Sequence, residues 1–324
     1  MSEKNALMSR RGFIAGNVIT LLAFPLQTST AQQRKTSLLG WLSSAPGADP
    51  MFDAFRAGLR NLDYVEGRSI RIEARSVQDS AELRMFAQQL VRQQVDVIVT
   101  NGRAATRAAQ EATATIPIVM APVDDPYEFV GSLSRPNSNI TGLALQQPEI
   151  DAKQIEILKE MVPGLSRLAV FFYYGETYYA LESTARALGI EVLWIETKRS
   201  EDVERAFAEV LAKKVNGILI VDTGAIGGTC SLIAAMALAR RIPAAASWRG
   251  DTNVPLLLTY AADEAQLQNR AASYVDRLLK GTKPQDLPVE QATQFQLIVN
   301  LQVAREIGVT VPSPVLLRAN QVID

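Results

Sequence analysis

The sequence predicts an α/β protein built as two doubly wound parallel-sheet lobes joined by a multi-strand hinge. Three observations carry that prediction. Short β-rich runs alternate with stretches whose apolar residues recur at helical spacing, as in Leu83, Phe86, Ala87, Leu90 and Val91. The runs Val95–Thr100 and Ile116–Ala121 are continuously apolar rather than alternating, as strands are when helices cover both sheet faces. The whole pattern then occurs a second time, without close sequence repetition.

In the first half, strands are expected at Leu38–Leu42, Ile70–Ser76, Val95–Asn101 and Ile116–Ala121. Helices are expected between them at Phe52–Tyr64, Ala81–Gln94 and Ala104–Ala114. In the second half, strands are expected at Leu168–Tyr173, Val192–Glu196, Gly217–Val221 and Pro243–Ser247. Their helices are Glu176–Leu188, Asp202–Lys213 and Ser231–Arg241. Asn139–Leu145 reads as a strand crossing between the halves, and Leu256–Ala261 as the return crossing. Asp263 is placed to cap a helix running to Lys280, with Gly281 just past its end. A late strand follows in Gln296–Leu301. The expected organisation is a first lobe at 36–141 plus about 263–288, and a second lobe at 142–260 plus about 289–324. A chain that passes between lobes more than once suits a hinged clamp.

Residues 1–31 read as an export signal. Arg10-Arg11 precedes Gly12-Phe13-Ile14, in the order of a twin-arginine motif. A short apolar stretch follows from Phe13 to Leu26, and Ser29 and Ala31 supply small residues at a cut site. Cleavage after Ala31 removes Lys4, Arg10, Arg11 and Glu3, which takes the net charge from −1 to −3. The periplasm is the expected compartment.

Composition excludes several function classes. The near balance of 33 basic and 34 acidic residues leaves no surplus to neutralise a phosphate backbone, so nucleic acid is not an expected partner. There are no histidines, which removes the Ser-His-Asp and Cys-His mechanisms. Cys230 is the single cysteine, so neither a disulfide within the chain nor a cysteine-rich metal site is expected. No cofactor and no metal are expected.

Ligands of open α/β sheets bind at the carboxyl ends of strands. After the first strand come Ser43 and Ser44, which either hold a ligand carboxylate or serve as ordinary loop and cap residues. After Val95–Thr100 come Asn101, Gly102, Arg103 and Ala104. Gly102 permits close backbone approach. Arg103 sits where a helix dipole disfavours a cation, so it answers either to an acidic ligand or to a nearby acid. Asp124 is a candidate acceptor for a ligand ammonium, while Asp125 reads as the cap of a helix over Tyr127–Leu133. In the second half, Tyr174, Thr223, Trp248 and Arg249 follow strands, and Tyr260 ends the run Leu256–Tyr260. Tyr and Trp offer flat apolar contact with a hydrogen-bonding tip, and Arg249 a fork for a carboxylate. These residues favour an aromatic or branched amino acid, or a related carboxylate.

A series of segments resembles one family. Leu62–Ser76, Gln93–Pro126, Gly131–Leu143, Leu158–Phe172, Ala185–Val192, Leu287–Pro312 and Leu316–Ile323 are similar, in that order, to solute-binding proteins of bacterial ABC importers, in the tryptophan- or tyrosine-type group. The resemblance spans Thr36 to Asp324. It implies a type I periplasmic-binding fold with three crossings and a ligand between the lobes. It also implies a small-molecule solute, with separate membrane permease and ATPase subunits as partners. Three stretches depart from the family pattern: Tyr127-Glu128-Phe129, Tyr173–Glu176 and Arg249–Pro255. An enzyme on the same scaffold, such as an isomerase or lyase, is the alternative. Without histidine its base would be Asp124, Asp222 or Cys230. A ligand-sensing domain would share the same cleft.

Overall fold

The computed structural model describes residues 36–44, 50–77, 79–172, 179–197, 199–221, 227–247 and 254–324. The expected export signal lies outside them. The chain from Thr36 to Asp324 forms one compact unit containing two sheets.

The first sheet takes in β1 (Ser37–Ser43), β2 (Ile70–Ser76), β3 (Val97–Asn101), β4 (Ile118–Val123) and β5 (Ile140–Ala144). Between them run α1 (Pro50–Asn61), α2 (Ser80–Arg92) and α3 (Arg103–Ala112). The chain then enters the second lobe through α4 (Gln147–Met161). There follow β6 (Arg167–Phe172), α5 (Tyr179–Ala187), β7 (Glu191–Glu196), α6 (Ser200–Ala212), β8 (Gly217–Ile220), α7 (Gly227–Ala239), β9 (Ala244–Ala246) and β10 (Leu258–Ala262). It returns through α8 (Glu264–Leu279) and β11 (Glu290–Gln291), then crosses again to β12 (Phe295–Asn300), α9 (Leu301–Ile307), α10 (Ser313–Arg318) and β13 (Gln321–Ile323).

The strand orders are β2-β1-β3-β4-β5-β11 and β7-β6-β8-β9-β10-β12-β13. The first five strands of each sheet are parallel and share the flavodoxin-like order 2-1-3-4-5. The continuous apolar runs arise from this burial. Leu39 and Trp41 of β1 face α1 and α8, while Leu42 packs toward α2 and α3, so helices cover both faces. Trp41 is fully buried, with ring centroids 5.1 Å from both Phe52 and Phe55. In the second sheet, α4, α5 and α9 cover one face, and α6 and α7 the other. No helix of the described residues is long and apolar enough to cross a membrane.

One local signal acts as the sequence suggests. Asp263 caps α8 by accepting from Gln266 N at 3.1 Å. Asp79 accepts from Ala81 N and Glu82 N, both at 2.9 Å, and starts α2.

The differences have physical causes. Helix α4 is absent from the sequence reading because its core face buries Asp151 and Gln154, and because it starts without a side-chain cap at Gln146 in the left-handed region, φ 60°. Asn139–Leu145 is not itself the crossing: β5 pairs with β4 and β11 inside the first sheet, and the chain crosses at Leu145–Gln147. A lobe boundary at 141/142 therefore cuts β5, and one at 288/289 detaches β11 from the sheet it joins. Leu256–Ala261 is likewise an interior strand, β10, between β9 and β12, with the return beginning after Ala262. An apolar strand reads the same whichever sheet it joins. The helix expected over Tyr127–Leu133 is only a 3-10 turn, Pro126–Glu128.

The β4–β5 seam is irregular. Register shifts between Met120 and Val123, and Pro122 has no N–H to offer the ladder. Gly142 sits opposite with φ 135°, and a Cβ there would overlap the Met120 backbone. Gln268 of α8 reaches in and donates its amide N–H to Ala121 O at 2.6 Å.

Candidate functional site

In the order 2-1-3-4-5, the switch point lies between the first and third strands, where helices depart to opposite faces. In the first lobe, that is the carboxyl end of β1 beside that of β3. Ser43 closes β1 and pairs in register with Asn101, the last residue of β3. Asn101 Nδ2 donates to Ser43 Oγ at 3.2 Å. Ser44 N donates to Asn101 O at 3.1 Å, and Ser44 Oγ to the same carbonyl at 3.3 Å. Gly102 follows with φ 90°, and a side chain there would collide with the Ser44 hydroxyl. Only glycine lets the two strand ends approach this closely. Thr106 Oγ1 donates to Gly102 O at 3.0 Å, which locks the first turn of α3 onto β3. Ser43, Ser44, Asn101 and Gly102 thus form one cluster at the start of a 10-residue helix whose amide end favours negative charge. Ala104 is exposed in that first turn.

Arg103 answers to an acid of the chain: Glu128 takes Arg103 on one carboxylate oxygen and Arg107 on the other. The Glu128 side chain is only 14% exposed. Arg107 also lies 5.4 Å from the Phe129 ring centroid. The sequence reading saw Tyr127-Glu128-Phe129 as a departure from family pattern but did not join it to Arg103 and Arg107. The available signal is the one-turn spacing of two arginines and, beyond the Asp125 cap, an acid in the next cleft loop. Asp124 follows β4 directly and is half-buried. Burial raises its carboxyl above the usual range, the Arg103 charge pulls it back down, and Asp125 raises it. Asp125 acts as a cap, accepting from Tyr127 N at 2.9 Å.

Tyr260 occupies another place. It lies in mid-β10 and packs against a core cluster of each lobe, with its ring stacked 5.6 Å from Phe295 at 18°. Burial raises its hydroxyl pKa, with Lys153 acting the other way. Its carbonyl accepts from Gln154 Nε2 at 2.7 Å, and the same amide donates to Ser247 Oγ at 2.6 Å. Gln147 Nε2 reaches Ser247 Oγ at 2.9 Å and Asp151 Oδ1 at 2.7 Å. This buried polar group on α4 escaped the sequence reading altogether. Tyr174, Thr223, Trp248 and Arg249 lie outside the described residues, as does Asp222.

The crossings run side by side. Ala292 N donates to Ala144 O at 2.8 Å, and Gln146 Nε2 to Ala292 O at 2.8 Å. Asp263 N donates to Gln294 O at 2.9 Å, and Gln296 Nε2 to Asp263 Oδ2 at 2.6 Å. The third segment is bonded to each of the other two, and the chain passes between the lobes at all three, which makes a hinge.

Residues 41–323 match the family of ABC transporter substrate binding proteins. The chain belongs to that family. As a substrate-binding protein it takes a small-molecule solute and works with an ABC transporter. A tyrosine-binding protein of Clostridioides difficile is 24% identical over 278 residues, covering 83% of this chain and 80% of that one. A conserved domain protein from Vibrio cholerae is 26% identical with a TM-score of 0.80, over 89% of this chain and all of that one. An ABC domain from Streptococcus pneumonia, solved in complex with L-Trp, is 23% identical with a TM-score of 0.81 and the same coverage. Among the described residues, no group of three or more acidic or cysteine side chains is placed to hold a metal. The Cys230 thiol is pushed up to about 12 by burial in this substrate-binding protein, so it cannot act as a base near neutral pH.

Proposed function

We propose that the chain is the exported receptor of an importer and that its solute is an aromatic amino acid. Its leader is removed near Ala31, and it works in the periplasm. The lobes close around the solute and present it to a membrane permease driven by ATPase subunits, with no chemical change to the solute. The observation that carries this reading is the switch-point cluster Ser43–Ser44–Asn101–Gly102 at the start of α3, with Asp124 close by. It offers backbone and hydroxyl donors for an α-carboxylate and an acid for an α-ammonium. The tyrosine-binding relative and the neighbour holding L-Trp support an aromatic side chain between those anchors. Tyr174, Thr223, Trp248 and Arg249 are proposed to supply the second lobe's contacts, and Tyr260 the hinge-side wall.

The test is a purification from the periplasmic fraction, a reading of the mature N-terminus, and calorimetric titration with L-Trp, L-Tyr, L-Leu, L-Asp and D-glucose. Saturable binding of L-Trp or L-Tyr, with solute recovered unchanged, is expected. Preference for the sugar or for L-Asp, or conversion of the solute, would overturn the reading.

A further inference from the structure

The turn after β4 is fastened twice. Asp125 closes it by accepting from Tyr127 N. Glu128 then grips Arg103 and Arg107, which stand one turn apart on α3 and so reach the same side. Arg107 rests on the Phe129 ring of the same turn. A largely buried carboxylate shared by two guanidiniums is more than a strand-to-helix junction needs. The neighbouring junction at α2 holds with the Asp79 cap and its two backbone N–H groups.

Asp124 explains the excess. Its carboxylate has no hydrogen bond or ion pair among the described residues, yet the Arg103 charge acts on it. Arg103 stands at the first position of α3, where the helix dipole repels a cation. Released from Glu128, its guanidinium has Asp124 as a neighbouring acid within its field. A bidentate pair between them would fill both carboxylate oxygens.

We propose that Glu128 is a positioning residue that sets specificity: by holding Arg103, it keeps the Asp124 carboxylate open for the ammonium of an amino-acid solute. The proposal rests on the amino-acid reading of the site. Glu128 touches no solute in this scheme. It acts through Arg103.

The experiment titrates the protein with L-Trp and with 3-indolepropionate, which lacks only the α-amino group. It compares wild type, Glu128→Gln, Arg103→Gln and the double variant, each checked by thermal melting. Glu128→Gln is expected to weaken L-Trp by about tenfold or more, the worth of one charge-assisted hydrogen bond, while indolepropionate is unchanged. The double variant is expected to regain most of the lost affinity, because no guanidinium then competes for Asp124. A merely structural role for Glu128 would weaken both ligands and show no rescue, and that result overturns the proposal. If Glu128→Gln does not fold, Arg103→Gln decides alone: it should bind L-Trp at least as tightly as wild type, and a loss overturns the proposal. Wild type that binds no amino acid removes the functional reading and this inference together. Wild-type binding without rescue removes only the inference.

Discussion

The helix that enters each lobe across the hinge brings one buried glutamine to the sheet: Gln154 on α4 for the second lobe, Gln268 on α8 for the first. Both donate their amide N–H to a strand carbonyl, Tyr260 O and Ala121 O. In both, the Oε1 atom is buried without a partner. The difference lies in what each carbonyl needs. Ala121 O belongs to the β4 irregularity, so Gln268 repairs a fault in the ladder. Tyr260 O belongs to a strand just before a crossing, and Gln154 ties it to Ser247 at the carboxyl end of β9 as well. One glutamine mends a sheet; the other links a hinge strand to a cleft edge.

The severest challenge to this comparison is Gly142→Ala, which strikes the seam itself. A Cβ there overlaps the Met120 backbone at a φ of 135°, so strain and overpacking act together. A loss of about 3 kcal/mol or more is expected in denaturant unfolding. A cost below about 1 kcal/mol would show that the seam is soft.

The glutamines come next. Gln154→Leu and Gln268→Leu should each cost about 1–3 kcal/mol, since each strands a buried carbonyl while removing an unpartnered oxygen. Only Gln154→Leu is expected to alter solute affinity, because only Gln154 reaches the cleft edge. Equal effects on affinity, read by calorimetry, would erase the distinction.

The smallest effect is at β11, where Arg270 Nε and Nη2 donate to Glu290 at 2.7 and 2.6 Å. The Arg270 hydrogen bond holds the Glu290 carboxyl below its usual value. Its contribution is therefore present above the ordinary glutamate range and is lost as pH falls through the lowered folded value. The pair is partly exposed, so solvent screens it, and Glu290→Gln should cost less than about 1 kcal/mol at pH 7. The gap between variant and wild type, followed by melting, should close in acid. A gap that widens there would contradict the assignment.

Much of this architecture was legible in the sequence because parallel strands buried on both faces leave unbroken apolar runs, as β3 and β4 do. The first lobe's cluster was legible too, since residues such as Ser43 and Asn101 stand where such strands end. Three things were not. Helix α4 hid because the residues it buries include an acid and an amide. The sheet membership of β5 and β10 hid because an apolar strand carries no mark of its neighbours. The grip of Glu128 on Arg103 hid because it joins two loops that only the sheet brings together.

The three crossings also govern the order in which the lobes can be completed. The buried face of α1 is covered by α8, with Gly58 set against Ala272 and Asn269, and β11 is needed to finish the first sheet. As the chain leaves the ribosome from its amino end, β1 to β5 emerge first but lack that cover. The lobe begun first is finished only after β6 to β10 of the other have been made. Until then the face of α1 that carries Phe55 and Leu59 lacks its cover, so the exposure of that apolar face during synthesis is set by chain topology.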